Sequence, residues 1–163
     1  MPNLSELAAQ LQDLAIARGI TVATAESCTG GAIAHQITSI SGSSTYFMGS
    51  VVSYANDVKH RILGVPEEVL ENPGAVSEAC ARAMAEGVRL LIGSDFAVST
   101  TGIAGPLGGT ERKPVGLVYI GVASAERRLV EKHVFPGDRA AVIEAATARA
   151  LELLIAAISA EPG

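Results

Sequence analysis

Apolar residues along the chain follow two alternating rhythms. Leu4, Leu7, Leu11 and Leu14, with Ala8 and Ala15, repeat at the 3.6-residue period of an amphipathic helix. Gly19 then stands where a left-handed C-terminal stop is needed. Residues 20–25 read as a short β-branched strand, 26–31 (Glu-Ser-Cys-Thr-Gly-Gly) as the turn after it, and 32–37 as a short helix. The pattern predicts a second strand over 47–54 and a helix over 57–63. Ser77 caps a helix with Cys80, Ala83, Met84, Val88 and Leu91 on one face. Residues 96–101 form an apolar strand that Gly102-Ile103-Ala104-Gly105-Pro106 cannot continue. Residues 115–123 and 129–135 read as two strands joined by a tight connection, hence antiparallel neighbours. A last helix starts near Asp138, with Ile143, Thr147, Ala150, Leu151, Leu154 and Ile158 on one face. Helices interleaved with strands predict an α/β sandwich, and the late hairpin makes its sheet mixed.

Composition narrows the class. The 163 residues are 48% hydrophobic, which suits one domain (1–163) with a core that needs no metal or disulfide staple. Lys plus Arg is 12 against 17 Asp plus Glu, for a net charge of −5. That balance argues against a nucleic-acid partner, whose footprint is a basic face. With no Trp and 4% aromatic residues, a base-stacking platform is also disfavoured. Two cysteines, Cys28 and Cys80, rule out a disulfide framework, and no set of four Cys and His has zinc-finger spacing. The N-terminus lacks a signal-peptide pattern, and the longest apolar run, 153–158, is far short of the ~18 residues of a membrane span. The expectation is a cytoplasmic protein with no membrane partner, and its alanine-rich helix faces suit a homodimer.

Three stretches lie where open α/β sheets bind ligands, beyond strand C-termini. The first, 26–31, offers Ser27, Cys28 and Thr29 at a strand-to-helix turn whose N–H groups can point at an oxyanion. The same residues read equally well as an ordinary helix cap. The second holds Gly42-Ser43-Ser44, then Tyr54, Asn56 and Lys59. A serine nucleophile needs a base, yet His35, His60 and His133 have no acid placed to orient them. A lysine made neutral by burial can serve instead, although a lone helix lysine is more often solvated. The third is the glycine loop 101–110, followed by Lys113-Pro114-Val115-Gly116, whose backbone can approach a ligand closely. Arg139 opens the last helix, where the dipole disfavours a cation. That placement fits an arginine held for an anion, or a surface residue.

The strings Ala25-Glu26-Ser27-Cys28-Thr29-Gly30-Gly31, Gly42-Ser43-Ser44, Tyr54-Ala55-Asn56 and Gly74-Ala75-Val76-Ser77 occur in this order. Thr101-Gly102-Ile103-Ala104-Gly105-Pro106, Lys113-Pro114-Val115-Gly116 and Phe135-Pro136-Gly137-Asp138-Arg139 follow them. Together they resemble the CinA C-terminal domain family, whose stand-alone members are nicotinamide-nucleotide amidases. The resemblance covers nearly the whole chain. It implies a three-layer α/β/α sandwich with a mixed, five-stranded sheet like that of anticodon-binding domains. It also implies hydrolysis of the carboxamide of nicotinamide mononucleotide to nicotinic acid mononucleotide and ammonia, in pyridine-nucleotide recycling, without metal or organic cofactor. On this resemblance Ser27 is the nucleophile, Lys59 the general base and Tyr54 an aid to the proton relay. Ser44, Thr101 and Arg139 match substrate positions, with Arg139 on the phosphate, and Thr29, Gly30, Asn56, Gly102 and Gly105 are taken with them as substrate-binding. The nucleotide-binding first domain of longer members is expected to lie outside this sequence. Ser50 replaces a frequent glycine, and Leu107 a small or acidic residue. Two rival readings accompany this one: a thiol nucleophile at Cys28, and a non-catalytic nucleotide-binding module acting through a protein partner in competence or DNA-damage responses.

Overall fold

The computed structural model describes residues 3–162. In chain order they form α1 (Leu4–Arg18), β1 (Val22–Glu26), α2 (Ala32–Thr38), a 3-10 turn (Ser43–Thr45), β2 (Phe47–Val52) and α3 (Asn56–Arg61). The short α4 (Glu67–Val69) and an irregular turn (Leu70–Gly74) lead into α5 (Glu78–Ile92), β3 (Phe96–Gly102), β4 (Leu117–Ala123), β5 (Arg128–Val134) and α6 (Arg139–Ala160).

The five strands make one mixed sheet in the order β2-β1-β3-β4-β5. β1 pairs in parallel with β2 and with β3, in the latter case from Val22 opposite Phe96 to Glu26 opposite Thr100. β4 is antiparallel to both β3 and β5. The three inner strands are buried almost throughout, as their continuous apolar runs require when both faces are covered. β5, at an edge, alternates and carries Arg128, Glu131, Lys132 and His133, charges that discourage edge-to-edge pairing.

One face of the sheet packs on α1, α2 and α6 through Leu7, Leu11, Ile33, Ile37, Leu151, Leu154 and Ile158, against Val22, Val98, Val118 and Ile120. The other face is built for close approach. Ala23, Ala25 and Ala97 meet Cys80, Met84 and Val88 of α5. Ser99 Oγ donates to the Ala81 carbonyl at 2.6 Å, and a Cβ on Gly121 would stand 2.7 Å from that same oxygen. Asn3, Ser77 and Asp138 cap α1, α5 and α6 with side-chain acceptors, and Gly19 and Gly93 end α1 and α5 in the left-handed region.

The three-layer expectation and the mixed five-stranded sheet match this architecture, with shifts at the ends of elements. β1 starts at Val22 and runs on through Glu26. β2 stops at Val52, so Tyr54 lies beyond it. On α5 the buried stripe is Cys80, Ala81, Met84, Ala85 and Val88, while Leu91 is 56% exposed. In the last turn Ile92 packs instead, next to Gly49 of β2.

Candidate active site

β1, β2 and β3 deliver their C-terminal ends to one rim of the sheet, and β5, two antiparallel steps from β3, ends there too. The chemistry-bearing loops therefore meet. β1 passes directly into Ser27, whose N–H donates to the Thr100 carbonyl at 3.0 Å. Gly30 N–H donates back to the Ser27 carbonyl at 3.0 Å, closing the turn, and Gly31 has φ +101°, a backbone that L side chains rarely adopt. After β2, α3 begins at Asn56 and turns Lys59 toward Ser27.

Lys59 is only 2% exposed. Its Nζ lies 2.9 Å from Ser27 Oγ, 2.8 Å from the Ser53 carbonyl and 3.2 Å from the Tyr54 carbonyl. A neutral amine has two N–H donors and one lone pair. In that form the two carbonyls would take the donors and the lone pair would face the serine hydroxyl; as an ammonium, Lys59 donates to all three oxygens. Burial lowers the Lys59 pKa from its usual value, opposed by the neighbouring Cys80 and Cys28. The Cys28 thiol is pushed the other way, up to about 11, mainly by burial. A buried thiol held protonated is a poor nucleophile. Among the described residues, the N–H groups of Cys28 and Thr29, in the turn just past Ser27, have no backbone acceptor; the Cys28 N–H faces its own thiol and opposes the rise that burial causes.

A cavity of about 240 Å³ opens here, lined by Ser27, Cys28, Tyr54, Asn56, Lys59, Ala75, Val76, Thr101, Gly102, Ala104 and Arg139. Arg139 Nη1 donates to the Gly105 carbonyl at 2.7 Å and Nη2 to Tyr54 Oη at 3.0 Å. A guanidinium has five N–H donors, so others remain for an anion. A wider, mostly apolar hollow of about 720 Å³ adjoins the cavity, sharing Ala104 and Arg139.

The expected site residues fall into three groups. Ser27, Lys59, Asn56, Tyr54, Thr101, Gly102 and Arg139 come together in the cavity wall. Thr101 also ties down the 75–76 segment, donating to the Ala75 carbonyl at 2.8 Å. Gly102 has no space for a side chain, since a Cβ would lie 2.5 Å from the Leu117 carbonyl oxygen. Gly105 contributes its carbonyl to Arg139. Thr29 and Gly30 shape the turn without lining the cavity, because the Thr29 hydroxyl is occupied by Glu26 and Thr100. Ser44 is a correction: it sits exposed in the turn before β2, at the opposite end of the sheet from Ser27, because β1 and β2 are parallel.

Two further expectations are corrected. The Tyr54 phenol is 62% exposed and bonded to Arg139, and only the Tyr54 main-chain carbonyl touches Lys59. A relay through the ring is therefore not what the geometry offers. Two histidines do have acids: His60 Nε2 lies 3.4 Å from Glu67, and His133 Nε2 lies 2.7 Å from Glu131. Neither lines the cavity. The residue that sequence reading passed over is Glu26. It is completely buried, with Oε1 accepting from Thr29 Oγ1 (2.7 Å) and Ile33 N–H (2.9 Å), and Oε2 from Ala34 N–H (2.9 Å). Its signal was an acid ending an otherwise uncharged strand, which looked like the first polar residue of a turn.

Comparison with known proteins agrees with this architecture. Residues 4–158 match the CinA C-terminal domain profile. The chain is 53% identical to a CinA-like protein of Salinibacter ruber over 146 residues, which is 90% of this chain and 35% of that protein. It spans about a third of the length of the curated relatives it matches. Among solved structures, the competence/damage inducible protein CihA of Agrobacterium tumefaciens superposes with TM-score 0.93 at 41% identity, covering 96% of each chain. The competence damage-inducible protein A (ComA) of Klebsiella pneumoniae gives 0.95 at 33% identity, covering 99% of this chain and 100% of that one. From Leu4 to Ile158, with its sheet order and its glycine loops in place, the chain belongs to the CinA C-terminal domain family.

Proposed function

We propose that this protein hydrolyses the carboxamide of nicotinamide mononucleotide, releasing nicotinic acid mononucleotide and ammonia, through a serine–lysine pair. The observation that carries this reading is the 2.9 Å contact between Lys59 Nζ and Ser27 Oγ, with the other amine donors directed at two main-chain carbonyls. Ser27 Oγ attacks the amide carbon while its proton passes to the Lys59 amine. The oxygen that becomes negative meets the N–H groups of Cys28 and Thr29. The C–N bond breaks as Lys59 returns the proton to the departing nitrogen, and ammonia leaves. Water, deprotonated by Lys59, then cleaves the Ser27 ester and restores both side chains. Arg139, which lines the same cavity, supplies N–H donors for the phosphate. The mononucleotide as substrate rests on the family resemblance; the amide chemistry rests on the dyad.

The test is ammonia release from nicotinamide mononucleotide by the purified protein, with Ser27→Ala and Cys28→Ala run beside it. Loss in the serine variant and retention in the cysteine variant is the expected pair of results. The reverse pair would place the nucleophile on Cys28. A wild type that binds the nucleotide and releases no ammonia would favour a binding module.

A further inference from the structure

Glu26 is a fully buried acid that the proposed mechanism does not use, and among the described residues no cation forms an ion pair with it. Its carboxylate accepts from Thr29 Oγ1 at 2.7 Å, from the Ile33 and Ala34 N–H groups at 2.9 Å each and from Thr24 Oγ1 at 3.2 Å, with Ser50 Oγ 3.5 Å away. Two short hydroxyl chains end on it. From β3, Thr100 Oγ1 lies 2.8 Å from Thr29 Oγ1, and since Thr29 donates to Glu26, Thr100 donates to Thr29. From β2, Ser50 Oγ lies 2.6 Å from Thr24 Oγ1.

A network like this is a costly way to gain stability. A buried carboxylate loses its hydration, and apolar residues of like volume often serve stability as well or better. Its placement points to another use. The side chain ties the first turn of α2, whose own cap Gly31 offers no side-chain acceptor. Through Thr29 it also fixes the residue that supplies one of the two N–H groups past the nucleophile. Its main-chain carbonyl accepts from Ser53 N–H at 2.8 Å, and the Ser53 carbonyl in turn holds Lys59. Glu26 thus touches both arms of the site without lining the cavity.

We infer that Glu26 is a positioning residue: its carboxylate, acting through the Thr29 hydroxyl, holds the Cys28 and Thr29 N–H groups where they meet the oxyanion formed at Ser27. The inference builds on the serine–lysine reading above but not on the identity of the substrate.

The experiment follows phosphonylation of Ser27 by a fluorophosphonate, beside amide hydrolysis. In that reaction the Oγ–P bond forms, the P–F bond breaks, fluoride leaves and the serine proton goes to Lys59. The phosphonyl oxygen then occupies the oxyanion position. Thr29→Val removes only the hydroxyl, and Thr29→Ser keeps it. We expect Thr29→Val to slow phosphonylation and to lower kcat by about 10- to 100-fold, less than outright loss of an oxyanion donor, with KM and the apparent pKa of the pH–rate profile unchanged. Thr29→Ser should restore the rate. Glu26→Gln, which turns one acceptor into a donor facing N–H groups, should fall at least as far, and the double variant Glu26→Gln/Thr29→Val no further than Glu26→Gln alone. If Glu26→Gln does not fold, the Val/Ser pair decides the question. Thr29→Val reacting at the wild-type rate, or both Thr29 variants losing rate alike, would overturn the inference. So would a shifted pH profile, which would mean that Glu26 tunes Lys59 rather than the N–H groups. If phosphonylation responds as expected while the mononucleotide is not hydrolysed, the positioning role stands and the substrate assignment fails.

Discussion

Replacing a helical glycine by alanine ordinarily gains about 1 kcal/mol. At Gly87, inside α5, the structure reverses that sign. A Cβ there would overlap the Leu63 carbonyl oxygen and lie 2.9 Å from its carbon. Both partners are backbone, so no side chain can rotate away, and α5 and the 62–65 segment must separate by roughly an ångström. That displacement belongs at the upper end of the ~1–3 kcal/mol that overpacking costs. After the helix gain is subtracted, Gly87→Ala should destabilise by about 2 kcal/mol, which lowers Tm by about 4–8 °C for a chain of this size. The effect also reaches the site. Leu63 is buried just after α3, and Val65 N–H donates to the Lys59 carbonyl at 3.1 Å. Moving this turn lengthens the Lys59–Ser27 contact, and misplacement by an ångström can cost about 100-fold in rate. Calorimetry and urea unfolding give the first quantity, and steady-state hydrolysis of the mononucleotide gives the second. An unchanged or raised Tm would refute the reasoning, because the glycine would then be an ordinary helix residue with room beside it.

Four other outcomes follow from the same coordinates. With a Lys59 pKa lowered below 10.5 by burial, kcat/KM should rise with pH through that lowered value. Stability should also rise with pH between it and 10.5, because there the unfolded chain binds the extra proton; Lys59→Met should abolish both trends, measured by rate profile and by urea titration. Since the Tyr54 phenol contacts Arg139 and not Lys59, Tyr54→Phe should keep kcat within about threefold. Arg139→Leu should raise KM for the mononucleotide about tenfold or more and leave the phosphate-free riboside unaffected; equal losses on both substrates would remove the phosphate from Arg139. Glu131 is held down to about 2, chiefly by hydrogen bonds from Arg149, with a further contribution from His133. The stability this contributes is present above the normal carboxylate pKa of 4.5 and is lost as pH falls toward 2, so Arg149→Met should flatten the unfolding free energy over that window.

The sheet, its mixed character and the pairing of Ser27 with Lys59 were all legible in the order of apolar runs, in turn residues and in the family strings. What stayed hidden was contributed by backbone or by through-space partners. The Ser53 and Tyr54 carbonyls that orient Lys59 have no signature, since any residue supplies a carbonyl. An acid buried at the end of a strand breaks the usual polarity rule, and in sequence Glu26 reads as a turn residue; the α2 N–H groups and the hydroxyls of Thr29 and Thr24 make its burial tolerable. Only its string places Ser44 with the site, and the parallel pairing of β1 and β2 puts it at the far rim. Tyr54 lay near Lys59 in sequence, but its ring points to an arginine 85 residues away.

The direction of β5 has a consequence for how such proteins diversify. Because β5 ends at the same rim as β1 and β3, α6 begins beside the Ser27–Lys59 pair, both members of which come from the first half of the chain. The Ser27–Lys59 pair comes from positions 26–59, whereas the rest of the cavity and the adjoining apolar hollow are lined largely from 101–115 and 137–143. The two sets share no segment. Substitutions can therefore reshape the second set while leaving the Ser27–Lys59 contact in place.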